Sequence, residues 1–387
     1  MAEQEPAAMR EMADSLVELP KEPMTPEEVL KRLDVPVLPV APVLDEWHSI
    51  KSGHAAISAN GQWEDLLVWL RYADLSRAKV GGGKSLATLI SEGARSQLND
   101  RIKAQDWPAA DAELARLAAV FDDHPADYTA AHLLAHGHLD VANAKRQMTQ
   151  VGQMSQGVWK DSAAHYAQAE AVLSSFDPIE ELSPLLANTR YQLVRGIEEG
   201  RSLCRDWFED WCDLDPEDSD AQTAHAHNML PHWFGTLSGF DNEASKAAAL
   251  TSTKTGQAAY AVFYMAARED LGDFPPGMDL RRFLTGLEHF RIATKCQYRV
   301  NLAAGLLAAM LQDSHGEDPS KDVDLGLVRI AMSRLLCTHM TEVHLAAWPD
   351  GNDGLALAMT EVFGQDLQGG AHIVVRDGGL AAQHQSS

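Results

Sequence analysis

The sequence predicts an all-α protein, an α-solenoid of stacked antiparallel helical hairpins, on three observations. Tryptophans read as helix starts recur at irregular but similar spacing, as Trp63, Trp107, Trp159 and Trp207, at intervals of 44, 52 and 48 residues. Each is followed seven positions on by a bulky apolar residue, Leu70, Leu114, Tyr166 and Leu214, and a helix places i and i+7 on one face. Recurrence near this length marks helical-hairpin arrays. Long Ala/Leu-rich stretches follow the helical period, and period-two strand patterns are almost absent.

Residues 1–45 read as an N-terminal arm, partly disordered and carrying one short helix. Thr25 supplies its N-cap, Pro26 the first helical position and Glu28 the carboxylate of a capping box. The segment VPVLPVAPVL follows, with Pro36, Pro39 and Pro42 every third residue. Proline lacks the amide proton and restricts its predecessor, so this stretch is extended rather than helical.

Residues 46–365 form the expected helical-repeat domain. Trp63, Leu66, Leu67 and Leu70 fall at i, i+3, i+4 and i+7, as do Leu114, Leu117, Ala118 and Phe121. Tyr166, Ala169, Leu173 and Phe176 continue the pattern. The longest match is Val300, Ala303, Ala304, Leu307, Ala308 and Leu311. Helix starts are expected at Asp177-Pro178, Ser183-Pro184, Asp215-Pro216 and Asp318-Pro319. Helix ends are expected at Gly235, Gly272 and Gly316. Residues 366–387 read as a C-terminal tail, in which Ala371 to Arg376, before Asp377-Gly378-Gly379, is the one strand candidate.

Composition narrows the function classes. A formal charge of −24, from 56 acidic and 32 basic residues, repels phosphate backbones and anionic headgroups, so nucleic acid and membrane surfaces are not expected partners. No apolar run approaches the ~20 residues of a membrane span, and the N-terminus lacks a basic start and an apolar stretch. Cys204, Cys212, Cys296 and Cys337 contain no CxxC pair and read as free thiols. A cytoplasmic protein is expected.

Four segments carry residue types with possible chemistry. Residues 78–85, AKVGGGKS, approach a Walker A pattern, with Lys84 and Ser85 as nucleotide-binding candidates. A P-loop needs a buried strand leading into it, and here an amphipathic helix does so, which favours a plain loop. His132, His136 and His138 make a first histidine cluster; Leu133 stands where a metalloprotease has glutamate. His225, His227 and His232 make a second, though His225 and His227 lie about 200° apart around a helix. The segment 211–235, WCDLDPEDSDAQTAHAHNMLPHWFG, gathers His225, His227, Asn228, His232 and Trp233 near a break at Pro231. This is the candidate binding pocket. No catalytic residue, metal ligand set or cofactor is assigned.

Trp159, Ser162, Ala163 and Tyr166 are spaced as in the first helix of a tetratricopeptide repeat, and this stretch resembles that signature. At the second-helix positions of the signature stand Ser175 and Ile179, so the likeness covers half a repeat. Residues 207–235 resemble bacterial proteins of unknown function with tetratricopeptide-like folds. The resemblance implies a helical-repeat fold and a protein-interaction role, and carries over no catalytic residues. The expected function is a non-enzymatic scaffold that binds a basic protein or peptide partner. The alternative is a metal- or small-molecule-binding protein built on residues 225–235.

Overall fold

Helix starts dictated by the sequence recur in the computed structural model, which describes residues 24–147, 156–294, 296–313 and 322–384. The chain opens with α1 (Pro26–Leu30), β1 (Leu33–Asp34) and β2 (Val37–Leu38). There follow α2 (Pro42–Ala59), α3 (Trp63–Leu75), α4 (Leu86–Ala94), α5 (Ser96–Lys103), α6 (Trp107–Asp123) and α7 (Tyr128–Gln147). Next come α8 (Gln156–Leu173), α9 (Pro184–Gln192), α10 (Gly200–Leu214), α11 (Ser219–Asn228), α12 (Leu237–Thr255) and α13 (Ala258–Leu271). The last elements are α14 (Leu280–Thr294), α15 (Gln297–Asp313), α16 (Asp322–His339), β3 (Val343–His344), α17 (Gly351–Gln368), β4 (His372–Arg376) and β5 (Gly379–Gln383). The protein is therefore mainly helical, and among the described residues no helix is long and apolar enough to cross a membrane.

Two compact units divide the chain, one of residues up to Asp45 together with Asp279 onward, the other Glu46–Met278. In the first, Thr25 Oγ1 accepts from Glu28 N while the Glu28 carboxylate accepts from Thr25 N, the capping box the sequence predicts. The proline segment is extended and paired at Val37–Leu38, but not to its end: Pro42, Val43 and Leu44 form the first turn of α2, where the missing proline amide costs no helical hydrogen bond. β2 runs parallel to β3 with Val37 opposite Val343, and Pro36 O accepts from Val343 N at 2.8 Å. β1 runs parallel to β4, with Leu33 opposite Ile373. β4 and β5 form an antiparallel hairpin joined by Asp377 and Gly378, both at positive φ, the arrangement that lets a two-residue turn match strand twist. The six-residue apolar row of α15 is buried throughout.

In the second unit the predicted faces also turn inward. Leu66, Leu67 and Leu70 of α3, Leu114 and Leu117 of α6, and Leu133 and Leu134 of α7 share one core cluster. Tyr166, Ala169 and Leu173 of α8 join Leu139, Leu186 and Leu193 in another. All four residues seven positions after a tryptophan are buried. Each such aliphatic side chain withdrawn from water contributes about 1.5–3 kcal/mol, which makes these rows the main source of helix stability.

Three local expectations are corrected. Trp63 and Trp107 do begin helices, but Trp207 sits in the middle of α10; Trp159 lies in α8, its side chain outside the described set. Asp177-Pro178 makes a turn only: Asp177 Oδ1 accepts from Ile179 N and Glu180 N, yet Ser183 N closes back on Pro178 O and Leu182 takes a positive φ. The helix waits for Ser183, whose hydroxyl accepts from Leu186 N at 3.0 Å. Asp215 does not start a helix either. It ends α10, and Asp218 caps α11 by accepting from Asp220 N. Asp318-Pro319 and Gly316 lie outside the described residues.

Candidate functional site

The residues of the predicted pocket lie on and after α11, packed against α9 and α10. His225 is buried, its ring stacked on Phe208 at 4.0 Å and 9°. Its Nδ1 lies 2.7 Å from the Tyr191 hydroxyl, which also meets Cys204 Sγ at 3.2 Å and accepts from Asn228 Nδ2 at 3.0 Å. Asn228 Oδ1 in turn accepts from Arg195 Nε at 2.6 Å. The Arg195 guanidinium stands 4.4 Å from the Trp233 ring centroid, and that of Arg146 stands 4.6 Å from it. Three of the five candidates, His225, Asn228 and Trp233, are thus joined into one chain through Tyr191 and Arg195.

The other two are set apart. His232 is exposed and lies 3.2 Å from Asp270. His227, on the other side of α11 as helical geometry requires, has a buried Nε2 without a hydrogen-bond partner. Sequence reasoning missed Tyr191, Arg195, Cys204 and Arg146. The signal was available in part, because Tyr191 and Arg195 are four residues apart, which puts them on one side of a continuous helical path.

Burial sets the protonation states. It lowers His225 to about 3, with Arg205 adding to the effect, and raises Tyr191 well above its ordinary value. It also raises the Cys204 thiol and lowers Arg195, which Arg146 lowers further. The chain therefore holds a neutral imidazole, a phenol and a thiol, with its positive charge carried at the Arg195 end. Such a group donates hydrogen bonds and holds a guanidinium in place; it presents no thiolate nucleophile.

The remaining candidates are spent within the fold. The glycine loop lies between α3 and α4, with Gly82 and Gly83 at positive φ, and Ser85 caps α4 by accepting from Thr88 N at 3.4 Å. Lys84 pairs with Asp220 at 2.6 Å, and Lys79 pairs with Asp215. Burial lowers the Lys84 value, but Asp220 outweighs it and the net shift is upward. The loop is therefore bound to the acidic turn after α10. Of the first histidine cluster, His132 and His136 share a face of α7. His132 Nε2 meets Ser91 Oγ and its Nδ1 meets Thr189 Oγ1, each at 2.6 Å. His138 faces away and pairs with His165, Nδ1 to Nδ1, at 3.0 Å. Among the described residues no three His, Cys, Asp or Glu are grouped so as to hold a metal ion.

A second surface stands out on α3. Its inward face is the predicted one, yet its outward face carries Val68 at 68%, Trp69 at 60% and Tyr72 at 71% exposure, with Leu75 beyond. Val68, Tyr72 and Leu75 fall at i, i+4 and i+7. They line a groove of about 500 Å³ with Arg71 and Asp127, which are paired at 2.6 Å. Apolar on both faces, α3 departs from the amphipathic rule for a surface helix. No family model, curated protein or solved structure matches the chain.

Proposed function

We propose that the protein is a non-enzymatic interaction scaffold, a tetratricopeptide-like helical-repeat array acting in the cytoplasm, whose docking surface is the exposed row of α3. The observation that carries this reading is Val68, Trp69 and Tyr72, each more than half exposed on consecutive turns of one helix. Contiguous exposed apolar surface marks interaction sites, and tryptophan and tyrosine are the residues that most often anchor them. Packing of α5 on α6, α6 on α7, α7 on α8 and α12 on α13 supports the array, since repeat proteins join neighbouring elements.

The partner that fits is an amphipathic helix with a basic rim. Glu64 and Asp65, one turn before Val68 and Trp69, border the row with negative charge. The chain as a whole carries −24, so a basic segment is steered toward it. Affinity capture with the full chain and with a Trp69→Ser, Tyr72→Ser double variant tests this. Recovery of a stoichiometric basic partner by the first and its loss from the second, at equal melting temperature, is expected. Equal recovery by both overturns the assignment.

A second reading is favoured by Arg195, which forms no ion pair with a described carboxylate although the chain is rich in acids, and which the Asn228–Tyr191–His225 chain holds in place. A fixed guanidinium beside an indole suits a small anionic molecule. Stabilisation by phosphate or carboxylate metabolites that Arg195→Gln removes is its signature.

A further inference from the structure

The unit containing Asp279 onward holds a cleft of about 300 Å³ between α14 and α16. Its walls are two helix faces of the same spacing. On α16, Leu327, Ile330, Ala331 and Arg334 fall at i, i+3, i+4 and i+7; on α14, Arg281, Leu284, Thr285 and Glu288 do the same. Leu307 of α15, fully buried, also lines it. The interior is apolar and the charges sit at its two ends. At one end Arg334 lies 3.9 Å from Glu288, whose carboxylate is bound by Arg291 at 2.7 Å and lies 3.9 Å from His339. Positive charge there is answered. At the other end Arg281 forms no ion pair with a described residue.

We propose that this cleft binds an unbranched amphipathic carboxylate, its head on Arg281 and its chain along Leu284, Ile330 and Ala331. A volume of about 300 Å³ stands at the small end of the range that small-molecule sites span, which suits a medium alkyl chain. An apolar cleft of this volume with one oriented polar group is the usual form of a small-molecule site. Charge selects the head, because an ammonium would meet Arg281 unfavourably and an alcohol would accept one hydrogen bond from its guanidinium where a carboxylate accepts two and brings the opposite charge. The site belongs to one unit and is independent of the α3 row.

The test is isothermal titration of the full chain with decanoate, decanol and decyltrimethylammonium. Decanoate should bind at one site, about tenfold more tightly than decanol, a difference of about one hydrogen bond to a charged group, and the ammonium should bind least. Arg281→Gln, an exposed position that leaves the core untouched, should bring decanoate down to the decanol level. Ala331→Trp, which fills the cleft, should abolish binding of both, and Trp69→Ser with Tyr72→Ser should change neither. Equal binding of the three probes, full binding by Arg281→Gln, loss of binding in the α3 variant or no binding at all would each overturn the proposal.

Discussion

Asp74 offers the sharpest test of how the second unit is held together. It is the penultimate residue of α3 and only 3% exposed. Its Oδ1 accepts from Leu185 N at 2.9 Å, while Oδ2 accepts from the Tyr128 hydroxyl at 3.1 Å and from the Ser183 hydroxyl. Tyr128 opens α7, Ser183 caps α9 and Leu185 lies in the first turn of α9. One carboxylate thus joins the end of α3 to the starts of two other helices. It also sits at the positive end of the α9 dipole. Asp74→Ala strands two hydroxyls and an amide in a buried site. Each buried group left unsatisfied costs about 1–3 kcal/mol, and hydroxyls can partly re-aim, so a total of ~3–5 kcal/mol is expected. For a unit of this size that lowers Tm by on the order of 10 °C.

The pH dependence separates geometry from charge. Burial raises the Asp74 carboxyl above its ordinary value, against the hydrogen bonds from Ser183, Leu185 and Tyr128, which lower it. The folded state then binds the proton more tightly than the unfolded state. The contribution of Asp74 is therefore largest below the ordinary carboxylate value and declines as pH rises through the folded one. Asp74→Asn, which keeps the volume and never ionises, should cost more at pH 4 than at pH 7. Urea unfolding at both pH values, followed by tryptophan fluorescence, measures this. A cost under about 1 kcal/mol for Asp74→Ala refutes the three-helix clamp, and an Asp74→Asn penalty that grows with pH refutes the claim that burial dominates.

Two further outcomes are expected. Gly196→Ala places a Cβ 2.0 Å from the Tyr166 ring, which is held by its hydroxyl on Asn143 Oδ1 at 2.7 Å; denaturant melts should show a loss of ~1–3 kcal/mol, recovered in a Tyr166→Leu background. His225, lowered to about 3 by burial, should remain neutral at pH 5 by imidazole NMR, and its share of stability should disappear as pH falls from 6.5 toward 3 because the unfolded state takes up the proton first; an imidazolium signal at pH 5 refutes its burial.

Much of the helical fold was legible because the chemistry of helix ends is local. Thr25 with Glu28, and Ser183 before Pro184, cap as their residue types predict. Where two such signals compete, the sequence does not rank them. Asp177-Pro178 and Ser183-Pro184 stand six residues apart, too close for both to begin a helix of several turns. Asp215 and Asp218 pose the same choice, and Asp215 is already committed to Lys79 from a loop over a hundred residues away. Of the β4–β5 hairpin only the first strand was read, as the candidate Ala371 to Arg376, although the Asp-Gly that follows it is a strong turn signal. The segment after it looked like tail only because Gly379 to Gln383 is too small and polar to read as a strand. The pairing of β1 with β4 joins residues more than 300 positions apart, a distance at which local pattern carries no information.

The candidate sites divide on the same physical ground. A chain of many short helices has many ends, and each end leaves backbone donors or acceptors that need partners. Polar residues are drawn inward to supply them. Asn301, fully buried, donates to Gln297 O and Glu342 O and accepts from His344 N and Trp348 Nε1. Lys84, Ser85, His132 and Asp218 are consumed in the same way, so rarity of residue type in a segment was a poor guide to chemistry. What the fold does not consume is more telling. An apolar side chain left in water forfeits about 25 cal/mol for each Å² that burial would gain. Trp69 and Tyr72 forfeit that gain on a helix whose other face is already covered. Arg281 stands at the edge of a cleft and forms no ion pair with a described carboxylate, in a chain with 24 more acids than bases. Neither feature serves the stability of the unit that carries it, and that is the physical ground on which the two binding proposals rest.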